Sequence, residues 1–155
     1  MAQSLIRPID TSHIADLISI ANETNLNHWS ATGYLDELKN PLSIMLRLAD
    51  DENQTIGFIV GRIVAASDND TSVDGEIYNI GVRESRHGHG FGQMLLDSFT
   101  AKCREHEARS IWLEVRCSNS RAIRLYARNG FENVSIRTDL YSDPREDGIL
   151  MRRML

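Results

Sequence analysis

Glu76-Ile77-Tyr78-Asn79-Ile80-Gly81-Val82, then Arg86-His87-Gly88-His89-Gly90-Phe91-Gly92, then Gln93-Met94-Leu95-Leu96: this stretch decides how the chain is read. An apolar strand runs into a glycine-dense loop, and the loop into an amphipathic helix. Glycines at 88, 90 and 92 carry no Cβ to block an approaching anion. The backbone N–H groups of such a loop, with those of the helix's first turn, converge on a phosphate or pyrophosphate. A plain surface turn is the alternative; the flanking strand and helix favour the binding role. A P-loop is disfavoured because no Lys-Ser or Lys-Thr follows the last glycine. The glycine spacing and the loop's mid-chain position also argue against a dinucleotide fingerprint.

Outward from that stretch, 155 residues suit one domain spanning 1–155 with a sizeable core. Lys and Arg number 17 and Asp and Glu 22, for a net charge of −5. That balance argues against non-specific binding to nucleic acid or an anionic membrane, and suits a basic partner. Met1 to Asp10 lack the basic start and apolar core of a secretory leader, and no run has the length of a membrane span. Cys103 and Cys117 have neither metal spacing nor the look of a disulfide framework, so a reducing, cytoplasmic setting is expected. His87 and His89 have no further ligands at suitable local spacing, so no metal is expected. Nothing here sets the oligomeric state; a monomer is slightly favoured.

Periodicity predicts the remaining elements. Ile6 to Asp10 reads as a strand, and Ile14, Leu17, Ile18 and Ala21 place a helix over 12–23. Asn22 to Ser30 is polar and turn-like, and Ser30 is placed to cap a short helix carrying Tyr34, Leu35 and Leu38. Residues 43–49 and 55–65 read as a hairpin around Asp50-Asp51-Glu52-Asn53, and Ser67 to Gly75 as a polar loop prone to disorder. Strand 76–82, helix 91–106, strand 111–116 and a helix over 120–129 closed by Gly130 follow. A hairpin of 131–141 and 148–154 around 142–147 ends the chain. The order predicts an α/β arrangement: a mixed sheet with helices on its faces.

Trp112-Leu113-Glu114-Val115-Arg116, Ser118-Asn119, Ala122-Ile123, Leu125-Tyr126 and Gly130-Phe131 resemble, in order and spacing, the GNAT superfamily of N-acetyltransferases. Within it the pattern looks most like the bacterial ribosomal-protein-alanine N-acetyltransferases (RimI type), and Arg145 to Met151 resembles their ending. The match is dense over 76–155 and rests upstream mainly on His28-Trp29-Ser30. The resemblance implies a single-domain acyl-CoA N-acyltransferase fold, with a central twisted mixed sheet splayed between strands 76–82 and 111–116. One departure stands out. His87 and Gly88 occupy positions where the superfamily's phosphate loop usually has Gln or Arg and then, commonly, Arg. Arg86 or His89 is placed to restore positive charge, and acyl-CoA binding is expected to vary with pH more than usual.

The resemblance also implies the chemistry. Acetyl-CoA would be the co-substrate, its diphosphate held by the main chain of Gly88, His89, Gly90, Phe91, Gly92 and Gln93. Ile80, Gly81 and Val82 would present backbone groups to the pantetheine and the acetyl carbonyl, and Asn119 would hold the pantetheine arm. Glu114 would be the general base for the incoming amine and Tyr126 the acid for the thiolate. From the residues alone, Glu114 reads as a solvent-facing partner of Arg116, Tyr126 as core packing and Asn119 as a helix cap. The acceptor implied is the basic N-terminal peptide of a ribosomal protein, met by Glu23, Asp36, Glu37 and the Asp143 to Asp147 loop. Trp29 would pack on that peptide's first residue or anchor the helix junction. Cys117, which invites a covalent route, has no activating base beside it in sequence, and Cys103 reads as buried packing.

Overall fold

The sheet of this computed structural model, which describes residues 5–24, 26 and 29–155, has seven strands and mixes antiparallel neighbours with a parallel pair. Sheet order is β1 (Leu5–Pro8), β2 (Ser43–Ala49), β3 (Thr55–Ala65), β4 (Val73–Val82), β5 (Ser110–Arg116), β7 (Arg145–Met154) and β6 (Glu132–Ser142). The chain forms two compact units, one of residues 1–62 and 79–102, the other of 63–78 and 103–155. Strands β3 (Thr55–Ala65) and β4 (Val73–Val82) and helix α3 (Phe91–Glu105) each run from one unit into the other.

In the first unit, β1 (Leu5–Pro8) pairs antiparallel with β2 (Ser43–Ala49), and β2 with β3 from Ser43↔Arg62 to Ala49↔Thr55. The hairpin turn is wound on Asp50, whose carboxylate accepts the N–H groups of Glu52 and Gln54 at 3.0 and 2.9 Å. Arg47 grips the same turn through the Asn53 carbonyl, the Asn53 amide oxygen and the Thr55 hydroxyl. Helix α1 (Ile14–Glu23) buries Ile14, Leu17, Ile20 and Ala21; of the stripe read from the sequence, Ile18 is only half-buried and Ile20 takes the core position instead. Ser30 caps α2 (Ala31–Leu38) by accepting the Gly33 N–H at 3.1 Å. That helix buries Tyr34, edge-on to Phe58 at 6.2 Å, and Glu37. Glu37 is 5% exposed and pairs with Arg62 through two N–H···O contacts of 3.0 and 2.5 Å, with Ser43 donating to the same carboxylate. Burial raises the Glu37 pKa, but Arg62 and Ser43 outweigh it and hold the carboxyl below its ordinary value. Part of the Asn22 to Ser30 turn, with His28, lies outside the described residues.

In the second unit, β4 pairs in parallel with β5 (Ser110–Arg116) through Gly75↔Ile111, Glu76↔Trp112 and Ile77↔Leu113. Among the described residues that ladder ends at Ile77, early in the stretch where the two strands were expected to part. Strand β5 pairs antiparallel with β7 (Arg145–Met154) along its whole length, and β7 with β6 (Glu132–Ser142). Helix α4 (Ser120–Arg128) ends at Gly130, whose φ of +84° is the left-handed turn that glycine supplies freely. Among the described residues no helix is long and apolar enough to cross a membrane.

Two boundaries correct the sequence reading. Val73 to Gly75 belong to β4, because Asp74 is buried with its carboxylate accepting from Ser110 Oγ at 2.8 Å. The loop before it is closed by an Ala66 N–H to Ser72 carbonyl bond of 2.9 Å and an Asp70 cap on Ser72. The final hairpin turn is Asp143-Pro144 alone, shorter than the six residues expected.

Candidate active site

The glycine loop has the form its sequence predicts. Gly88 and Gly90 sit at φ +81° and +78°, and a Cβ added at either would meet nothing within 4 Å. Both need the backbone freedom of glycine, and both leave open space where an anion would approach. Helix α3 begins here, its first closing bond running from the Met94 N–H to the Gly90 carbonyl at 3.1 Å. The N–H groups of Phe91, Gly92 and Gln93 therefore point from the helix's positive end. The Gln93 side chain donates to Asp97 at 2.8 Å. His89 lies beside Phe91, with ring centroids 5.8 Å apart.

Of the two expected sources of extra charge, Arg86 is drawn to a carboxylate, while His89 is exposed on the loop. Arg86 pairs with Asp50 at 3.4 Å, and His87 Nε2 lies 2.7 Å from the Val82 carbonyl oxygen, which fixes the proton on that nitrogen. Gly81 is buried against α1; a Cβ there would come 2.8 Å from Leu26 Cδ1 and 3.2 Å from Ile20 Cγ2. Ile80 and Val82, on the other face of β4, are half-buried.

In the second unit Glu114 is 37% exposed and lies 3.7 Å from Arg137 Nε. Its half-aqueous setting agrees with the solvent-facing reading, but its cationic neighbour is Arg137 of β6, not Arg116, which corrects the expected pair. Arg116 instead pairs with Glu146 at 3.3 Å and lies over the ring of Tyr141, 4.3 Å from its centroid. Tyr141 is buried and its phenol is pushed up to about 12, by burial first and then by Glu114, with Arg116 opposing. Tyr126 of α4 is buried against Phe131, ring centroids 5.6 Å apart. Burial, helped by Tyr141, drives its phenol far above the ordinary value, so it carries its proton at neutral pH. Asn119 caps α4, its Oδ1 accepting the Ala122 N–H at 3.2 Å. Cys117 is exposed and Cys103 buried, and both are free thiols.

Sequence reasoning missed Tyr141, Arg137 and the role of Arg116, which meet only through the β5-β7-β6 register. It also miscast two carboxylates. Glu23 is taken up by Arg83 at 3.2 Å and the Glu84 N–H, and Glu37 by Arg62, so neither is a loose charge for a basic peptide. Trp29 packs on Tyr34 with ring centroids 5.3 Å apart.

The sequence pattern of the acetyltransferase (GNAT) family matches residues 14–131, from the first helix through the loop to Phe131. The chain belongs to that family. Among GNAT relatives it is 31% identical to the ribosomal protein bS18-alanine N-acetyltransferase of Haemophilus influenzae, over 96% of this chain and 97% of that protein. It is 28% identical to an N-alpha-acetyltransferase of Sulfurisphaera tokodaii, over 94% of this chain and 87% of that one. Its fold matches the crystal structure of the Escherichia coli ribosomal-protein-alanine N-acetyltransferase with a TM-score of 0.84, at 24% identity, covering 98% and 94% of the two chains.

Proposed function

We propose that residues 1–155 act as one N-acetyltransferase domain that moves an acetyl group from acetyl-CoA to the N-terminal α-amino group of a protein. The favoured acceptor is the N-terminal alanine of ribosomal protein bS18, the substrate named in the Haemophilus relative. The observation that carries the reading is the open cradle at Gly88 and Gly90, at the start of α3. Main-chain amides of residues 88–93 suit the diphosphate of coenzyme A there.

The roles follow from the chemistry. The α-ammonium of a peptide titrates near pH ~8, so a base is useful at neutral pH. Glu114 is the candidate, supported by its partly exposed carboxylate on β5. Loss of the ammonium proton leaves a lone pair for direct attack on the thioester carbonyl, polarised by the Val82 N–H. The departing thiolate takes its proton from the Tyr126 phenol, the acid that the family resemblance implies. Asn119 is left to hold the pantetheine arm through its amide NH₂, since its oxygen is spent on the helix cap.

The test is acetyl-CoA consumption with an alanine-starting, arginine-rich N-terminal peptide of bS18, followed by peptide mass. A single +42 Da product at the α-amine is expected, and Glu114→Gln lowers kcat by ~10²–10⁴-fold while CoA affinity holds. Acetylation of small amines in preference to the peptide would move the acceptor to that class. Parent-like turnover in Glu114→Gln would remove Glu114 from the mechanism.

A further inference from the structure

Arg116 stands two residues from Glu114 on the same face of β5, with its side chain only 11% exposed. Its Nη1 donates to the Pro144 carbonyl at 2.9 Å and to Glu146 Oε1 at 3.3 Å, and its Nη2 to the Asp143 carbonyl at 3.2 Å. The guanidinium face covers the Tyr141 ring. The second oxygen of Glu146 accepts the Ser118 N–H at 2.6 Å, which ties the same knot to the end of β5. One side chain thus binds the β6–β7 turn and an aromatic ring to the strand that carries Glu114. Only a planar fork does all of this: a lysine ammonium offers neither two parallel donors nor a stacking face. Tyr141 lies on the face that carries Glu114: its ring edge comes 3.1 Å from where a Cβ on Gly148 would stand, and Gly148 is the β7 residue opposite Arg116 and also opposite Arg137, which reaches Glu114.

We propose that Arg116 is a positioning residue for acyl transfer, fixing Tyr141 and the turn of residues 143–146 on the sheet face that carries Glu114 so that the acceptor amine meets the base in one orientation. The proposal rests on Glu114 being that base. Arg116 touches none of the reacting atoms and acts through Tyr141. The geometry also explains why the guanidinium is withheld from Glu114: three oxygen contacts and a ring already hold it.

The experiment is a double-substitution cycle. Arg116→Lys keeps the charge and loses the fork; Tyr141→Phe keeps the ring under the guanidinium and loses the hydroxyl. Steady-state rates with the alanine-starting peptide and CoA affinity by calorimetry are measured for the parent, both single variants and the double variant. Arg116→Lys should lower kcat by roughly tenfold or more, the scale of a misoriented reactant, with CoA affinity unchanged. In the Tyr141→Phe background the same change should cost no more than about threefold, because the group it positions is gone. An equal loss in both backgrounds, or a loss of thermal stability alone, overturns the proposal. Should Arg116→Lys fail to fold, Glu146→Gln weakens one tie and keeps the others. It should give a smaller fall in kcat with the same dependence on the Tyr141 hydroxyl, and independence from that hydroxyl overturns the proposal equally. Glu114→Gln run alongside separates the two levels. If it stops turnover while Arg116→Lys matches the parent, the positioning role alone falls; if it turns over like the parent, the reading of the base falls.

Discussion

Replacing Gly90 with alanine separates backbone strain from ligand contact, because the same strain can be imposed elsewhere as a control. Gly90 sits at φ +78° and Gly130, after α4, at +84°. An alanine in that left-handed region costs about 1–2 kcal/mol at either site. Neither new methyl is crowded: nothing lies within 4 Å at Gly90, and the nearest atoms at Gly130 are Arg153 Cγ and Nε at 3.9 Å. Both variants should therefore melt a few degrees below the parent, at roughly 2–4 °C per kcal/mol for a chain of this size. Coenzyme A should tell them apart. A phosphate oxygen bonded to a main-chain amide sits about 2.9 Å away, closer than the ~3.5 Å at which a methyl carbon is tolerated.

The Gly90→Ala methyl stands in the space left open for that phosphate, so at least one charge-assisted hydrogen bond is lost. Each is worth about 1.5–3 kcal/mol, and 1.4 kcal/mol is about a tenfold change in Kd. Calorimetric titration with CoA should show the Kd of Gly90→Ala raised by roughly 10–100-fold, with Gly130→Ala unchanged. If Gly90→Ala binds CoA as the parent does while melting like Gly130→Ala, the glycines serve only the turn, and the phosphate cradle is refuted.

Other outcomes follow from the packing of the first unit. Glu37→Gln should destabilise by about 1–2 kcal/mol. That is less than the ~3–5 for breaking a fully buried pair, because the Arg62 side chain is 35% exposed and regains water. Since the folded-state pKa of Glu37 is depressed, its contribution is fully present above the ordinary value of 4.5 and is lost as pH falls through the lower folded value. Urea midpoints of parent and Glu37→Gln should thus converge below that pH and stay apart at pH 7; a constant gap would show that charge is not involved. Gly57→Ala should cost about 2–3 kcal/mol, because its Cβ would stand 3.0 Å from the Gly81 carbonyl oxygen and 3.2 Å from Leu95 Cδ1. Gly81→Ala should cost less, since its closest clash is the movable end of the Leu26 side chain; the reverse order in urea unfolding would contradict this account of the contact.

What could be read beforehand divides along the range of the forces involved. Strands 43–49 and 55–65 appear with the bounds their apolar runs predict, and the loop with its left-handed glycines was legible because it depends on neighbours in sequence. Asp74 shows the opposite case. A carboxylate reads as loop, yet Ser110, thirty-six residues away, satisfies it and carries β4 back to Val73. The surroundings of Glu114 follow the same logic. Alternation along β5 offers Arg116 as its partner, but two residues on one face of a strand lie about 7 Å apart, too far for a close ion pair unless both side chains lean together. Arg116 has nearer oxygens across the sheet, at Asp143, Pro144 and Glu146, and once it is held there the cation left for Glu114 is Arg137. Residue types named the chemistry of the strand; the antiparallel register of β5, β7 and β6 chose which charges face each other, and that register is a long-range property no local pattern carries.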